Sequence, residues 1–128
     1  MFERMTERVL AHLRARRAHE EQLRISVDPV GITVSPEGAA GGTAHLIPWQ
    51  EIRRILVFKR DLYTHDMIAM WIDSHSIQLE VNETMAGWPE LSSQLSRYLP
   101  TALPYESWFL KVAFPAMEPA PTEIYVRH

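Results

Sequence analysis

Apolar and polar residues alternate along several short stretches of the chain, and a period of two predicts half-buried β-strands. The clearest alternation covers 77–82, where three aliphatic residues alternate with Gln, Glu and Asn. A second one covers 23–27 and leads into the sequence Asp-Pro-Val-Gly at 28–31, which is favoured in a type I turn. Because another short alternation follows directly, residues 23–35 are predicted to form a β-hairpin.

Two further stretches, 52–58 and 67–72, are apolar almost without interruption. Such runs are typical of strands that are buried on both faces. A shorter strand is predicted over 44–48, where Pro48 ends it because proline cannot donate to a strand ladder. The Gly-rich residues 35–43 before it are predicted to be a loop.

One amphipathic helix is predicted after the last of these strands, from Pro89 to Leu99. Leu91, Leu95 and Leu99 recur every four residues and therefore lie on one face of the helix. Pro89 suits the first helical turn, where its missing N–H costs no hydrogen bond, and Pro100 ends the helix.

Both ends of the chain lie outside this pattern. Residues 1–22 carry one apolar stripe at helical spacing among arginines and glutamates, so an N-terminal amphipathic helix that packs on the domain is predicted. Residues 101–128 are too aromatic for a disordered tail, and their prolines prevent one long helix. We expect this extension to pack over the body, with a short ordered element at 105–113 and a final strand at 122–127. Three of its aromatic residues are candidates for an interaction surface: Trp108, Phe109 and Phe114.

The middle of the chain, roughly 23–100, resembles bacterial pleckstrin-homology-like (PH-like) proteins. In that family a glycine followed by a hydrophobic residue opens one strand, a hydrophobic-x-Trp-x-x-Ile sequence leads into a later strand, and a helix closes the sheet. The residues that carry the resemblance are Val30-Gly31-Ile32-Thr33-Val34, Ile47-Pro48-Trp49-Gln50-Glu51-Ile52, Ser76-Ile77-Gln78-Leu79-Glu80-Val81 and the helix from Pro89 to Leu99. The resemblance implies an α+β fold of mainly antiparallel β structure, a bent sheet or partly open barrel closed by the C-terminal amphipathic helix. It therefore divides the chain into the N-terminal helix (1–22), the PH-like domain (23–100) and the extension (101–128).

PH-like domains bind phosphoinositides, peptides or other proteins. The phosphoinositide-binding members usually carry a cluster of Lys and Arg in the loop between the first two strands. Here that loop, 28–31, holds no basic residue, so lipid-headgroup binding by that mode is not expected.

Composition adds several exclusions. The 128 residues contain no cysteine, which removes disulfides, thiolate nucleophiles and Cys-based zinc sites. The net charge is −3, and residues 1–24 hold six arginines against four glutamates, a net +2 that leaves −5 for the rest. Such an acidic body argues against nucleic acid as a partner.

No apolar run approaches the roughly 18 residues that span a bilayer, and the charged N-terminal residues lack a signal-peptide apolar region. A cytoplasmic location is therefore expected, and a membrane is not the favoured partner.

The best catalytic or metal-binding candidates are His65 and Asp66 together with Asp73 and His75. The two pairs flank one predicted strand and would lie roughly 20–25 Å apart at about 3.4 Å per residue. They cannot share a metal ion within one subunit, so neither an enzyme nor a cofactor is predicted.

Four basic residues within eight positions, Arg53, Arg54, Lys59 and Arg60, are candidates for binding an anion or an acidic partner. The leading hypothesis is a non-enzymatic PH-like binding module that acts through protein–protein contact or self-association. An exposed sheet edge could accept a partner strand, and the extension could cover that edge or exchange between subunits of a dimer. The alternative is anionic ligand or membrane-surface binding through the Arg53–Arg60 cluster and the N-terminal helix.

Overall fold

The structure is a computed structural model, and it describes residues 23–36, 43–62, 65–113 and 121–127. The predicted N-terminal helix, 1–22, lies outside the described residues. Within them the chain forms seven strands, a short 3₁₀ turn and two α-helices. These elements are β1 (Leu23–Val27), β2 (Gly31–Pro36), β3 (His45–Pro48), the 3₁₀ turn (Trp49–Glu51), β4 (Ile52–Leu62), β5 (His65–Ser74), β6 (Gln78–Asn82), α1 (Trp88–Tyr98), α2 (Tyr105–Ala113) and β7 (Thr122–Val126).

The strands form two antiparallel sheets, one with the order β1-β2-β3 and one with the order β6-β5-β4-β7. An α+β fold built on antiparallel strands is therefore confirmed. The sequence predicted one bent sheet or a partly open barrel, whereas the described strands form two separate sheets and no closed barrel. The break falls between β3 and β4, because Pro48 has no N–H for a ladder and the 3₁₀ turn at Trp49–Glu51 interrupts the extended backbone.

The predicted hairpin at 23–35 is confirmed as β1 and β2, and Asp28 stabilises its turn. The Asp28 carboxylate accepts hydrogen bonds from the backbone N–H groups of Val30, at 2.8 Å, and Gly31, at 3.1 Å. An aspartate that caps its own turn in this way removes two unpaired backbone donors. The backbone carbonyl of Asp28 stays available for a partner outside the hairpin.

Helix α1 starts one residue before the predicted Pro89 and ends one residue before the predicted Leu99. Gly87 precedes it with φ +93°, a backbone conformation that residues with a side chain rarely adopt. A Cβ atom there would also collide with the backbone carbonyl of Ile25, because the segment before the helix runs against β1. The Ile25 N–H donates to the carbonyl of Ala86 at 2.7 Å, which fixes the start of α1 on the three-stranded sheet.

The hydrophobic core combines both sheets and both helices. Its fully buried side chains come from every part of the described chain: Ile32, Ile47, Ile52, Ile55, Met70, Ile72, Leu79, Leu91, Leu95, Trp108 and Ile124. Leu56, Phe58, Ala69 and Trp71 form a second buried cluster. Because these alternate with core residues along β4 and β5, the two central strands of the four-stranded sheet are buried on both faces, as their nearly continuous apolar runs predicted.

The C-terminal extension contributes α2, where a short ordered element was predicted, and β7, which ends one residue before the predicted strand. Strand β7 pairs with β4, with Arg54 opposite Val126. Trp108 on α2 is fully buried in the same cluster as Leu91 and Leu95. The described part of the extension therefore packs on its own chain and shares the core of the body. Neither described helix is long and apolar enough to span a bilayer.

Candidate functional site

The four basic residues singled out from the sequence do not form one patch. Each makes an ion pair with a carboxylate on another strand: Arg53 with Asp73 at 3.3 Å, Arg54 with Glu123 at 3.6 Å, Lys59 with Asp66 at 3.5 Å and Arg60 with Glu80 at 3.1 Å. Alternation along β4 also places Lys59 on the opposite face of the sheet from Arg54 and Arg60. Their charges are therefore separated in space and compensated by neighbouring acids.

Lys59 and Arg60 are, in addition, almost completely buried, with 5% and 9% of their surface exposed. The Nε of Arg60 donates to Glu80, while its Nη2 is buried and has no hydrogen-bond partner among the described residues. Buried ion pairs contribute little net stability, but the loss of one partner is costly because a charge stays buried alone. These two residues belong to the interior of the sheet rather than to a binding surface.

The two described members of the predicted aromatic interaction surface, Trp108 and Phe109, differ in burial. Trp108 lies in the core, and Tyr105 packs on it edge to face at 5.0 Å between ring centroids. Phe109 is half-buried and packs on Tyr105 at 5.1 Å. Phe114 lies outside the described residues. Of the two described residues, Trp108 is enclosed, whereas Phe109 lies where a partner could reach part of it.

The predicted catalytic or metal-binding pairs stay apart, because His65 and Asp66 begin β5 whereas Asp73 and His75 lie at its other end. Across residues 23–36, 43–62, 65–113 and 121–127, no group of three or more potential His or carboxylate ligands comes together.

A surface cleft lies where three distant segments of the chain meet: the 3₁₀ turn after β3, the C-terminal end of α1 and the end of β7. Its volume is about 310 Å³. We call it the Trp49–Tyr98 cleft, and the residues that matter for its chemistry are Trp49, Gln50, Tyr98, Thr101, Tyr125 and Arg127. Trp49 and Tyr125 are each 7% exposed and form a largely buried floor, whereas Gln50, Thr101 and Arg127 are exposed at the rim.

The Trp49 ring is held in place from two directions. Its indole Nε1 donates to the backbone carbonyl of Asp28 at 2.7 Å, so the β1–β2 turn orients the ring. The ring also stacks on Tyr98, with centroids 4.8 Å apart and planes 14° from parallel. An aromatic side chain that is fixed before a ligand arrives loses little conformational entropy on binding.

Arg127 is fixed as firmly at the rim. Its Nε donates to the carbonyl of Ile52 and its Nη2 to the carbonyl of Trp49, both at 2.9 Å. Its backbone N–H donates to the carbonyl of Arg53 at 2.8 Å, continuing the pairing of β7 with β4. Two side-chain hydrogen bonds therefore hold the guanidinium beside the cleft, and the backbone hydrogen bond fixes the end of β7 on the same segment.

The charge of Arg127 is not compensated by any carboxylate in the described part of the chain. The same is true of Arg97, whose guanidinium carbon lies 6.0 Å from the centre of the Tyr98 ring. None of the described residues that line the cleft is acidic. Positive charge is thus available to a ligand beside the Trp49–Tyr98 stack, whereas the charges of the 53–60 segment are paired.

A second depression, of about 340 Å³, lies between β1 and the start of α1. Arg24 and Glu90 both line it, so its charges are mixed, and none of its described lining residues is aromatic. The Trp49–Tyr98 cleft combines fixed rings with an uncompensated charge and is therefore the better candidate site.

Comparison of the chain with protein-family models, with curated proteins and with solved structures gave no match. The fold and the site together define an α+β protein of two antiparallel sheets that carries an aromatic and cationic surface cleft.

Sequence reasoning missed this cleft. The sequence singles out Trp49 for its place before β4, but it gives no signal that joins Tyr98 or Arg127 to it. No local signal joins the three residues, because only the packing of α1 and β7 against the β3–β4 junction brings them together.

Proposed function

We propose that this protein is a non-enzymatic, PH-like binding module that acts through contact with another protein, and that the Trp49–Tyr98 cleft is its contact site. The observation that carries the proposal is the fixed pair of Trp49 and Arg127 at an open cleft. Tryptophan, tyrosine and arginine are the residues most enriched among those that dominate the free energy of protein–protein binding.

The four ion pairs of the 53–60 segment favour this proposal over binding to an anionic ligand or a membrane surface through that segment. A phosphate or lipid headgroup would have to compete with carboxylates already in place. The net charge of −5 on the chain after residue 24 would also repel an anionic membrane.

Contact with a different protein is also favoured over exchange of the extension between two copies. Strand β7 already pairs with β4 of its own chain, and Arg127 connects that strand to the β3–β4 junction. Exchange would have to break all of these contacts before it could rebuild them in a dimer.

The proposal can be tested by selecting binders from a random peptide display library with the full chain. Thr101→Arg places a bulky side chain on the rim of the cleft, and Ser93→Arg adds the same side chain at an exposed position of α1 that does not line the cleft. We expect the selected peptides to bind the wild type and the Ser93→Arg variant and to lose binding to Thr101→Arg. Peptides that bind all three proteins equally, or the absence of any enriched peptide, would overturn the proposal.

A further inference from the structure

We propose that the Trp49–Tyr98 cleft recognises a carboxylate next to an aromatic or other flat apolar group, with Arg127 as the residue that binds the carboxylate. The occupant would be an acidic peptide segment in which Asp or Glu adjoins such a side chain. This inference rests on the proposed function and assigns the chemistry of its ligand.

The first support is the way Arg127 is held. Its Nε and Nη2 donate to the carbonyls of Ile52 and Trp49, while Nη1 makes no hydrogen bond within the described part of the chain. The two anchoring bonds fix the plane of the guanidinium, so a ligand would not have to order a flexible side chain. The remaining N–H groups are suited to a planar carboxylate, the usual partner of arginine.

The second support is charge. Arg53, Arg54, Lys59 and Arg60 all have acidic partners, and Arg127 has none among the described residues. A guanidinium at the edge of an apolar floor interacts more strongly with an anion than one surrounded by water, because the local dielectric constant is lower. Arg127 thus supplies one positive charge with which a negatively charged group of a ligand can pair.

The number of charges favours a carboxylate over a phosphate. Recognition of phosphorylated or strongly acidic motifs generally uses clusters of arginines. Here Arg127 is the sole basic residue among the described residues that line the cleft, and Arg97 lies on Tyr98 without lining it. A single anchored guanidinium matches a singly charged group.

The aromatic rings of the cleft would contact the flat apolar group of the ligand. Trp49, Tyr98 and Tyr125 present aromatic surface within the cleft, and flat apolar groups pack on such rings by offset stacking or edge-to-face contact. A volume of about 310 Å³ lies at the small end of ligand pockets, roughly 300–1,000 Å³. The cleft has room for one side chain with its adjoining carboxylate, which is the minimum of a peptide motif.

The direct test is a titration of the isotope-labelled full chain with N-acetyl-phenylalanine and with its amide, followed by NMR. The two probes share the aromatic ring and differ in the carboxylate. We expect the acid to shift the backbone amide signals of residues 49–50, 98–99, 101 and 127 at millimolar concentration. We expect the amide to bind at least about tenfold more weakly, because the charged hydrogen bond is lost. Equal affinity for the two probes, or no shift in the cleft with either, would overturn the inference.

Two arginine variants assign the effect to Arg127. Arg127→Gln removes the charge, and we expect it to reduce binding of the acid to the level of the amide. Arg24→Gln removes an equally exposed arginine that does not line the cleft, and it should leave the affinity unchanged. The spectra of both variants report folding independently of binding. Unchanged affinity in Arg127→Gln, with a spectrum of a folded protein, would exclude Arg127 as the binding residue.

The two proposals can fail separately. If display selects peptides that depend on the cleft but contain no acidic residue and still bind Arg127→Gln, the ligand chemistry assigned here is wrong and the binding function stands. If display selects no peptide that depends on the cleft, the binding function itself is wrong. In selected peptides that depend on the cleft and contain an acidic residue, replacing Asp by Asn or Glu by Gln should weaken binding at least about tenfold.

Discussion

The indole of Trp49 stacks on the ring of Tyr98, with 4.8 Å between the ring centroids and 14° between the ring planes. Trp49 belongs to the 3₁₀ turn between the two sheets, and Tyr98 is the last residue of α1. The stack therefore joins the end of the helix to the point where one sheet passes into the other. It also lines the candidate binding cleft, so a change at this pair should affect both stability and binding.

Removal of the stack should lower the free energy of unfolding. We expect Tyr98→Ala to cost about 2 kcal/mol, from the loss of a half-buried ring and of its aromatic contact. Tyr98→Phe keeps the ring and should cost less than about 0.5 kcal/mol, since no described residue hydrogen-bonds to the Tyr98 hydroxyl. Urea unfolding of the three proteins measures both values. Equal losses for the two variants would mean that the hydroxyl, and not the ring, stabilises this junction.

Gly87→Ala should be more damaging than a glycine-to-alanine change usually is. The residue has φ +93°, and an added Cβ would collide with the carbonyl of Ile25 on β1. We expect a loss of at least about 2 kcal/mol in the free energy of unfolding. Ser93→Ala, an equally small change at an exposed position of the same helix, serves as the control and should be close to neutral. A small effect of both variants in thermal unfolding would contradict the contact between Gly87 and β1.

The ion pair between Arg60 and Glu80 should behave as a buried one. Arg60→Met leaves the Glu80 carboxylate, whose side chain is 13% exposed, without its arginine. We expect a cost of about 3–5 kcal/mol in the free energy of unfolding, and a partial recovery in the double variant Arg60→Met/Glu80→Leu.

The pair of Arg53 and Asp73 is the matched control for that experiment. The Arg53 side chain is 54% exposed, so solvent screens its charge and Arg53→Met should cost less than about 1 kcal/mol. Similar losses for the two single variants in urea unfolding would show that burial does not separate the two ion pairs.

The extension should be required for a stable fold. Trp108→Ala removes a fully buried side chain, and we expect it to cost about 3–5 kcal/mol in the free energy of unfolding. Leu110→Ala on the same helix, at a position 60% exposed, should change the stability little.

A chain that ends after Pro100 lacks both Trp108 and the whole of β7, and it should lose the cooperative unfolding transition. Near-ultraviolet circular dichroism of the truncated chain measures this, because fixed aromatic packing gives the signal. A native spectrum for residues 1–100 would show that the body forms its core without the extension.

Much of the local structure could be predicted from the sequence. The alternation over 77–82, the leucines of α1 and the turn with Asp28 depend on contacts between residues close in the chain. Even α2 and β7 followed from the aromatic content and the prolines of the extension. The three-stranded and four-stranded arrangement could not be predicted in this way, because which strand pairs with which depends on contacts between distant residues.

The candidate site also separates what local sequence determines from what contacts between distant residues determine. The sequence determined that Arg53, Arg54, Lys59 and Arg60 are close together, but their carboxylate partners lie on β5, β6 and β7, so only the tertiary structure decided that these charges are compensated. The sequence likewise determined that a tryptophan directly precedes β4. Only the packing of α1 and β7 on that segment placed Tyr98 and Arg127 beside it. Periodicity and turn chemistry act over a few residues, whereas a binding cleft is made by side chains that approach each other only after the core has formed.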